Sequence, residues 1–331
     1  MDKVQFYLPH RHEVARLPER SEDYWKWSVE NSTVPEGKYA WTLQTFLRLK
    51  EAGLPCELVE QFPTRGIVVA HRDLLPITGV PRSRVFLVCI KADRNRHTWA
   101  HFHVTQNERD SVRRRSPGRS MTVTHWPQPG LLPRNPSRGT RCENVAYFGR
   151  ECNLAPELRG VDWLKARERL QWHDYRDVDV TVSVRQFGQQ RASSAVFDAD
   201  SKPASKLINS WMAGVPAIVG PEPAYQVARK SLLDFIEVRS ADEAREAVDM
   251  LRNNPALYRD MVENGLRRAK EFSTDSITAE WLHLFRDVLP AQYREWADDW
   301  RVWRKASGFM RFAAYFTKPQ HISSVYGALV R

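Results

Sequence analysis

Short apolar, β-branched runs alternate along this chain with segments whose apolar residues fall at helical spacing. No other feature constrains the fold as much. In the first half Val4–Leu8, Cys56–Val59, Gly66–Ala70, Val85–Ile90 and Ala100–Thr105 read as strands. Tyr39–Ala52, with Leu43, Phe46, Leu47 and Leu49 on one repeat and Gly53 behind it, reads as a helix. The second half has strands at Asn144–Phe148, Val178–Val184, Pro216–Val219 and Phe235–Val238, and helices at Glu157–Leu170 and Leu207–Ala213. Gly214 stops the latter helix, Ser240 with Glu243 forms a capping box, Asn254-Pro255 opens a further helix, and Ser273 or Thr274 caps the next. Strands joined through helices build open, mainly parallel sheets, so the expected class is α/β. A chain of 331 residues has room for two such sheets. Residues 108–141, rich in Arg, Ser, Pro and Gly, read as their connection, with one more strand of the first unit at Met121–His125.

Composition narrows the function classes. With 42% hydrophobic and 27% charged residues the chain is an ordinary globular one, not a disordered tract. No apolar run approaches the roughly 18 residues that span a bilayer, and the N-terminus lacks the apolar core of a secretory signal. The expectation is a soluble, cytoplasmic protein. Cys56, Cys89, Cys142 and Cys152 contain no C-x-x-C pair, so they are expected to be reduced thiols packed in the fold. Net charge is +10, and 12 of the 50 basic residues are Lys, the rest Arg. Arginine favours anionic partners, but charge alone does not choose among nucleotide, nucleic acid and membrane surface.

The most informative stretch runs from Lys202 to Gly220, KPASKLINSWMAGVPAIVG. It is a loop, a helix start, a short helix, a glycine stop and a strand. A helix start offers free backbone N–H groups and the positive end of the dipole, and Lys202 and Lys206 bring ammonium groups to the same end. Such a site suits a diphosphate. The plain alternative is an ordinary βα unit with surface lysines.

Lys206–Ile218 resembles the donor-binding segment of GT-B glycosyltransferases of the glycosyl transferases group 1 type, whose motif is K-L-x-E-x-x-A-x-G-x-P-V-I. Val145-Ala-Tyr-Phe-Gly-Arg150 is similar to the strand and Gly-Arg that open the same domain. The resemblance covers roughly residues 140–285. It implies a GT-B-like architecture of two Rossmann-like domains facing a cleft, with an acceptor domain at 1–125, a nucleotide-sugar donor domain at 126–290, and a helical segment at 291–331 returning toward the first domain. It implies a metal-independent, retaining transferase without a cofactor, its donor held by Arg150, Arg185, Lys202, Ser205, Lys206 and Asn209. His71, at the end of a first-domain strand, matches the setting of the family's acceptor-domain histidine and is the expected catalytic residue, with His10, His12 and Glu13 as rivals. The family's two glutamates, separated by seven residues, are Ser201 and Asn209 here, and Pro156 stands where a lysine is common. A non-catalytic nucleotide or glycan binder and a nucleotide-sugar epimerase are the alternatives on this fold.

Other patterns divide between two readings each. Asp198-Ala-Asp200 matches a metal-binding D-x-D, or is a solvated loop. Arg113-Arg-Arg115 has the charge for nucleic acid but no aromatic interleaving and no known module, so no nucleic-acid partner is expected. Trp25, Trp27, Tyr39 and Trp41 either stack on an acceptor sugar or fill a core. Tyr293, Trp296, Trp300 and Trp303 form one helical stripe, which either packs on the protein or makes a weak membrane-surface contact.

Overall fold

The computed structural model of the chain describes residues 3–9, 16–31, 33, 36–76, 84–115, 118–187 and 199–305. The strands are β1 (Val4–Tyr7), β2 (Cys56–Val59), β3 (Gly66–His71), β4 (Val85–Ile90), β5 (Phe102–Thr105), β6 (Ser120–Thr122), β7 (Val145–Phe148), β8 (Lys165–Arg167), β9 (Val180–Ser183), β10 (Ala217–Val219) and β11 (Ile236–Glu237). The helices are α1 (Tyr24–Glu30), α2 (Gln44–Glu51), α3 (Ser111–Arg115), α4 (Ser205–Ala213), α5 (Pro223–Ala228), α6 (Ala241–Asn253), α7 (Pro255–Ala269), α8 (Thr274–His283) and α9 (Leu289–Lys305). The strands form two parallel sheets, ordered β2-β1-β3-β4-β5-β6 and β11-β10-β9-β7-β8. The expected α/β class is what the chain adopts.

The central strands show why their sequences are apolar throughout. Ile67, Val69, Phe86 and Val88 enter the core on one face of the first sheet, and Val68, Ala70, Val85 and Leu87 enter the core on the other. A parallel strand covered on both faces has no position left for a polar residue. One cover comes from the far end of the chain. Ile277, Trp281, Leu284, Phe285 and Leu289 pack with Val4, Phe6 and Phe86, and Trp281 meets Trp41 edge-on at 6.3 Å. Glu280 receives both the Thr124 N–H and its hydroxyl, at 2.7 and 3.0 Å. Tyr293 and Trp296 of α9 continue this packing onto Phe86 and His101. The side chains of Trp300 and Trp303 lie outside the described residues. Trp27, Tyr39 and Trp41 are core residues as well, and Trp25 packs on His173 of the second half, rings 4.9 Å apart.

The local signals of the second half hold in detail. Ser240, Asn254 and Ser273 accept the N–H groups of Glu243, Leu257 and Ser276, and Gly214 closes α4 in the left-handed conformation. Buried Asp179 gathers the Arg134 and Arg138 guanidinium groups with the N–H groups of Glu143 and Asn144, which pins the connecting segment to β9.

Three expectations are corrected. Glu157–Leu170 is not a helix: two 3-10 turns, Pro156–Leu158 and Arg169–Gln171, flank strand β8 at the sheet border. Gly160 takes a φ of 70° there, which breaks the helical run. The segment 108–141 holds the further strand expected in it, as β6, and in addition helix α3, which the reading as a connection did not include. Cys152 is exposed rather than packed, while Cys89 and Cys142 are buried and Cys56 half-buried; all four are free thiols. Among the described residues no helix is long and apolar enough to cross a membrane.

The carboxyl edges of the two sheets face one another. Asp93, beyond β4, pairs with Lys202, and Gln106 and Asn107, beyond β5, donate to the carbonyls of Ser201 and Lys202.

Candidate functional site

At the carboxyl edge of the second sheet β7 delivers Arg150 and β9 delivers Arg185, and α4 follows β9 in the chain and leads to β10. The N-cap of α4 is Ala204, which offers no side-chain acceptor, so the N–H groups of the first turn at Ser205, Lys206 and Leu207 are left for a ligand. Gly149 is required by close approach: a Cβ there would lie 2.6 Å from the Tyr147 hydroxyl. That same Tyr147 ring lies beneath the Lys206 ammonium, 5.2 Å from its centroid.

Two cations, Lys206 and Arg185, meet here with one carboxylate, Glu222, between them. The Arg185 Nε donates to Glu222 at 2.9 Å, which leaves its terminal amino groups without a partner among the described residues. Glu222 is 7% exposed, and its second oxygen has no hydrogen-bond partner. Lys206 is half-buried and meets no carboxylate within ion-pair distance among the described residues. Burial, and then the neighbouring Arg185 charge, push its pKa down from 10.5 to about 7. Arg150 is exposed at the head of the 3-10 turn Glu151–Asn153 and makes no ion pair among the described residues. The result is an excess of positive charge at a helix start, which is what a diphosphate requires.

Two expected donor ligands are engaged elsewhere. Lys202 binds Asp93, beyond β4 of the first sheet, at 2.5 Å, while its charge still contributes to lowering the Lys206 pKa. Asn209 accepts the Gln128 N–H at 3.0 Å through its side-chain oxygen, fastening α4 to the connecting segment. Ser205 sits in the first turn of α4, half-buried. Ser201 is wholly buried.

Across the cleft His71 ends β3 and is 2% exposed. Burial lowers its pKa to about 4, against the pull of Asp73. Its Nδ1 accepts the Asp73 N–H at 3.2 Å, so the neutral ring carries its proton on Nε2. Nε2 faces Gly37, 3.5 Å from where a Cβ would stand. This tautomer makes His71 a hydrogen-bond donor, rather than a proton acceptor, at the carboxyl end of β3. Asp73 is itself clamped by Arg94 through both carboxylate oxygens. His10, His12, Glu13 and Asp198 lie outside the described residues.

Glu222 and Asp93 have no counterpart among the sequence expectations, and Tyr147 figures there only within the strand that leads to Gly149-Arg150. Of the first two, only Glu222 left a trace, a carboxylate between Pro221 and Pro223 directly after the strand that ends in Gly220.

No protein-family model and no curated protein sequence matches this chain. Among solved structures it is similar to the sucrose-phosphate synthase of Thermosynechococcus elongatus, with TM-score 0.54 and 11% identity over 88% of this chain and 100% of that one. It also matches HepE of Anabaena in complex with UDP, with TM-score 0.47 and 10% identity over 86% and 99%. At such identities the likeness is one of architecture. Two parallel α/β sheets opposed at their carboxyl edges, closed by a returning C-terminal helix, give this chain the GT-B glycosyltransferase fold.

Proposed function

We propose that the protein transfers a sugar from a nucleotide-sugar to an acceptor, acting in the cytoplasm, with the donor on the second sheet and the acceptor against the first. The observation that carries this reading is the meeting of Lys206 and Arg185 around Glu222 at the uncapped start of α4, with Arg150 following β7 at the same sheet edge. The fold shared with a sucrose-phosphate synthase supports it. Departure of a nucleoside diphosphate builds negative charge on the leaving oxygen. Fixed cations and helix N–H groups lower the barrier when they hold that charge more tightly than the ground state's. In this reading they neutralise the diphosphate without a metal, and His71 Nε2–H orients a hydroxyl of the transferred sugar. Retention of anomeric configuration is the outcome that the motif resemblance carries.

A second reading has an observation of its own. Asn209 is committed to Gln128 and neither position 201 nor 209 carries a carboxylate, which fits a nucleotide binder that performs no transfer. One experiment separates the two. Incubation with a panel of nucleotide-sugars and acceptors should release nucleoside diphosphate, and Lys206→Ala or Arg150→Ala should weaken diphosphate binding about ten- to a hundredfold, as expected for a lost charge-assisted contact. A gain in thermal stability with no release supports the binder. Equal binding by wild type and both variants removes the donor site, and the transferase reading with it.

A further inference from the structure

The loop that enters α4 from residue 199 is held by the opposite sheet. Gln106 Nε2 donates to the Ser201 carbonyl at 3.0 Å, Asn107 Nδ2 to the Lys202 carbonyl at 3.1 Å, and the Lys202 ammonium lies 2.5 Å from Asp93. Asp93 stands at an unusual piece of backbone. Ala92, just before it, is the sole non-glycine among the described residues with a positive φ, 50°. On one side of this kink Lys91 is locked in a buried ion pair with Asp110 at 2.7 Å. On the other, Arg94 binds Asp73 and also approaches Asp93 at 3.5 Å. Backbone strain of this kind persists only where the surroundings over-determine it. Here both flanking residues are tied down, and the turn aims the intervening carboxylate across the cleft.

We infer that Asp93 is a positioning residue of the first domain that, through Lys202, sets the loop 199–204 and with it the start of α4. This deepens the proposed transfer reaction and rests on that reading for its kinetic consequence, but the structural part stands apart from it. The ammonium of Lys202 is then a strut rather than a phosphate ligand. Diphosphate affinity falls to Lys206, Arg185 and Arg150, while the placement of the donor against the acceptor side depends on Asp93. The carboxylate of Asp93 is partly buried, yet the Lys202 ammonium holds it below the usual range, consistent with a pair kept charged at neutral pH.

The test compares wild type with Asp93→Asn, Lys202→Met and the double variant. Backbone amide exchange over residues 199–206 should accelerate about tenfold in either single variant, and the double variant should add nothing further, as two halves of one contact require. Affinity for free UDP should change less than about threefold, whereas kcat for diphosphate release should fall about tenfold. Unchanged exchange in Asp93→Asn, or additive effects in the double variant, overturns the inference. So does a loss of UDP affinity at full kcat, since Lys202 would then be a direct ligand. If wild type binds none of a panel of nucleoside diphosphates that includes UDP, GDP and ADP, the transfer reading fails, and the exchange data still decide the role of Asp93.

Discussion

Lys206 concentrates the chemistry of the site in one group. Most surface lysines are charged far above neutral pH, but burial and Arg185 bring this one to about 7. In the absence of ligand the folded state therefore holds fewer protons than the unfolded chain between about pH 7 and 10.5. The destabilisation is complete below that window and is relieved as pH rises through it. An arriving diphosphate reverses the balance, because its charge favours the ammonium. Binding of UDP at pH 8 should take up a proton, and affinity should fall as pH rises above 7. Calorimetric titration in two buffers of different ionisation enthalpy measures that uptake directly. It should vanish in Lys206→Met, and a wild-type protein with no uptake would show that Lys206 does not meet the phosphates.

At the scale of elements, α8 is the piece whose position matters most. It follows the last helix of the second sheet in sequence, yet Ile277 and Trp281 fill the core of the first. Trp281→Ala should cost about 3–5 kcal/mol, the usual loss for emptying an aromatic site. Trp281→Phe should cost clearly less, because it keeps an aromatic ring in the site and removes an indole N–H that has no hydrogen-bond partner among the described residues. Urea denaturation followed at several wavelengths checks both. Ending the chain after Pro290 keeps α8 but uncovers Phe86 and His101, and should produce a folded, aggregation-prone protein. Ending it after Phe272 removes α8 too, and the first sheet should no longer fold.

The whole molecule is two sheets tied by two chain crossings, by the contacts of the 199–204 loop, and by contacts such as Trp25 on His173 and Asn209 with Gln128. Such coupling predicts a single thermal transition for the wild type. In Trp281→Ala the first domain should melt separately and earlier, and UDP should raise only the later transition. At about a hundred times its Kd the gain is about 2.7 kcal/mol. Scanning calorimetry with and without UDP distinguishes this from a uniform shift, which would place the nucleotide on both domains.

Much of this architecture is legible before any coordinates. All-apolar runs such as Val85–Ile90 announce parallel strands, and Ser240, Asn254 and Gly214 mark helix ends, because backbone sterics and local hydrogen bonds act over a few residues. The topology then carries Arg150 and Lys206 to one edge, since the residue after a parallel strand and the start of the next helix share the carboxyl side. The engagements of Lys202 and Asn209 are not legible in this way. Each answers to a residue far away in sequence, Asp93 being 109 positions from Lys202. A lysine's reach and charge are local properties, but which carboxylate neutralises it depends on how two separately folded sheets meet. The same holds for Glu157–Leu170, whose composition permits a helix and whose place beside β7 makes it a strand: an open sheet edge offers Lys165–Arg167 hydrogen bonds to another chain segment that no short-range pattern records.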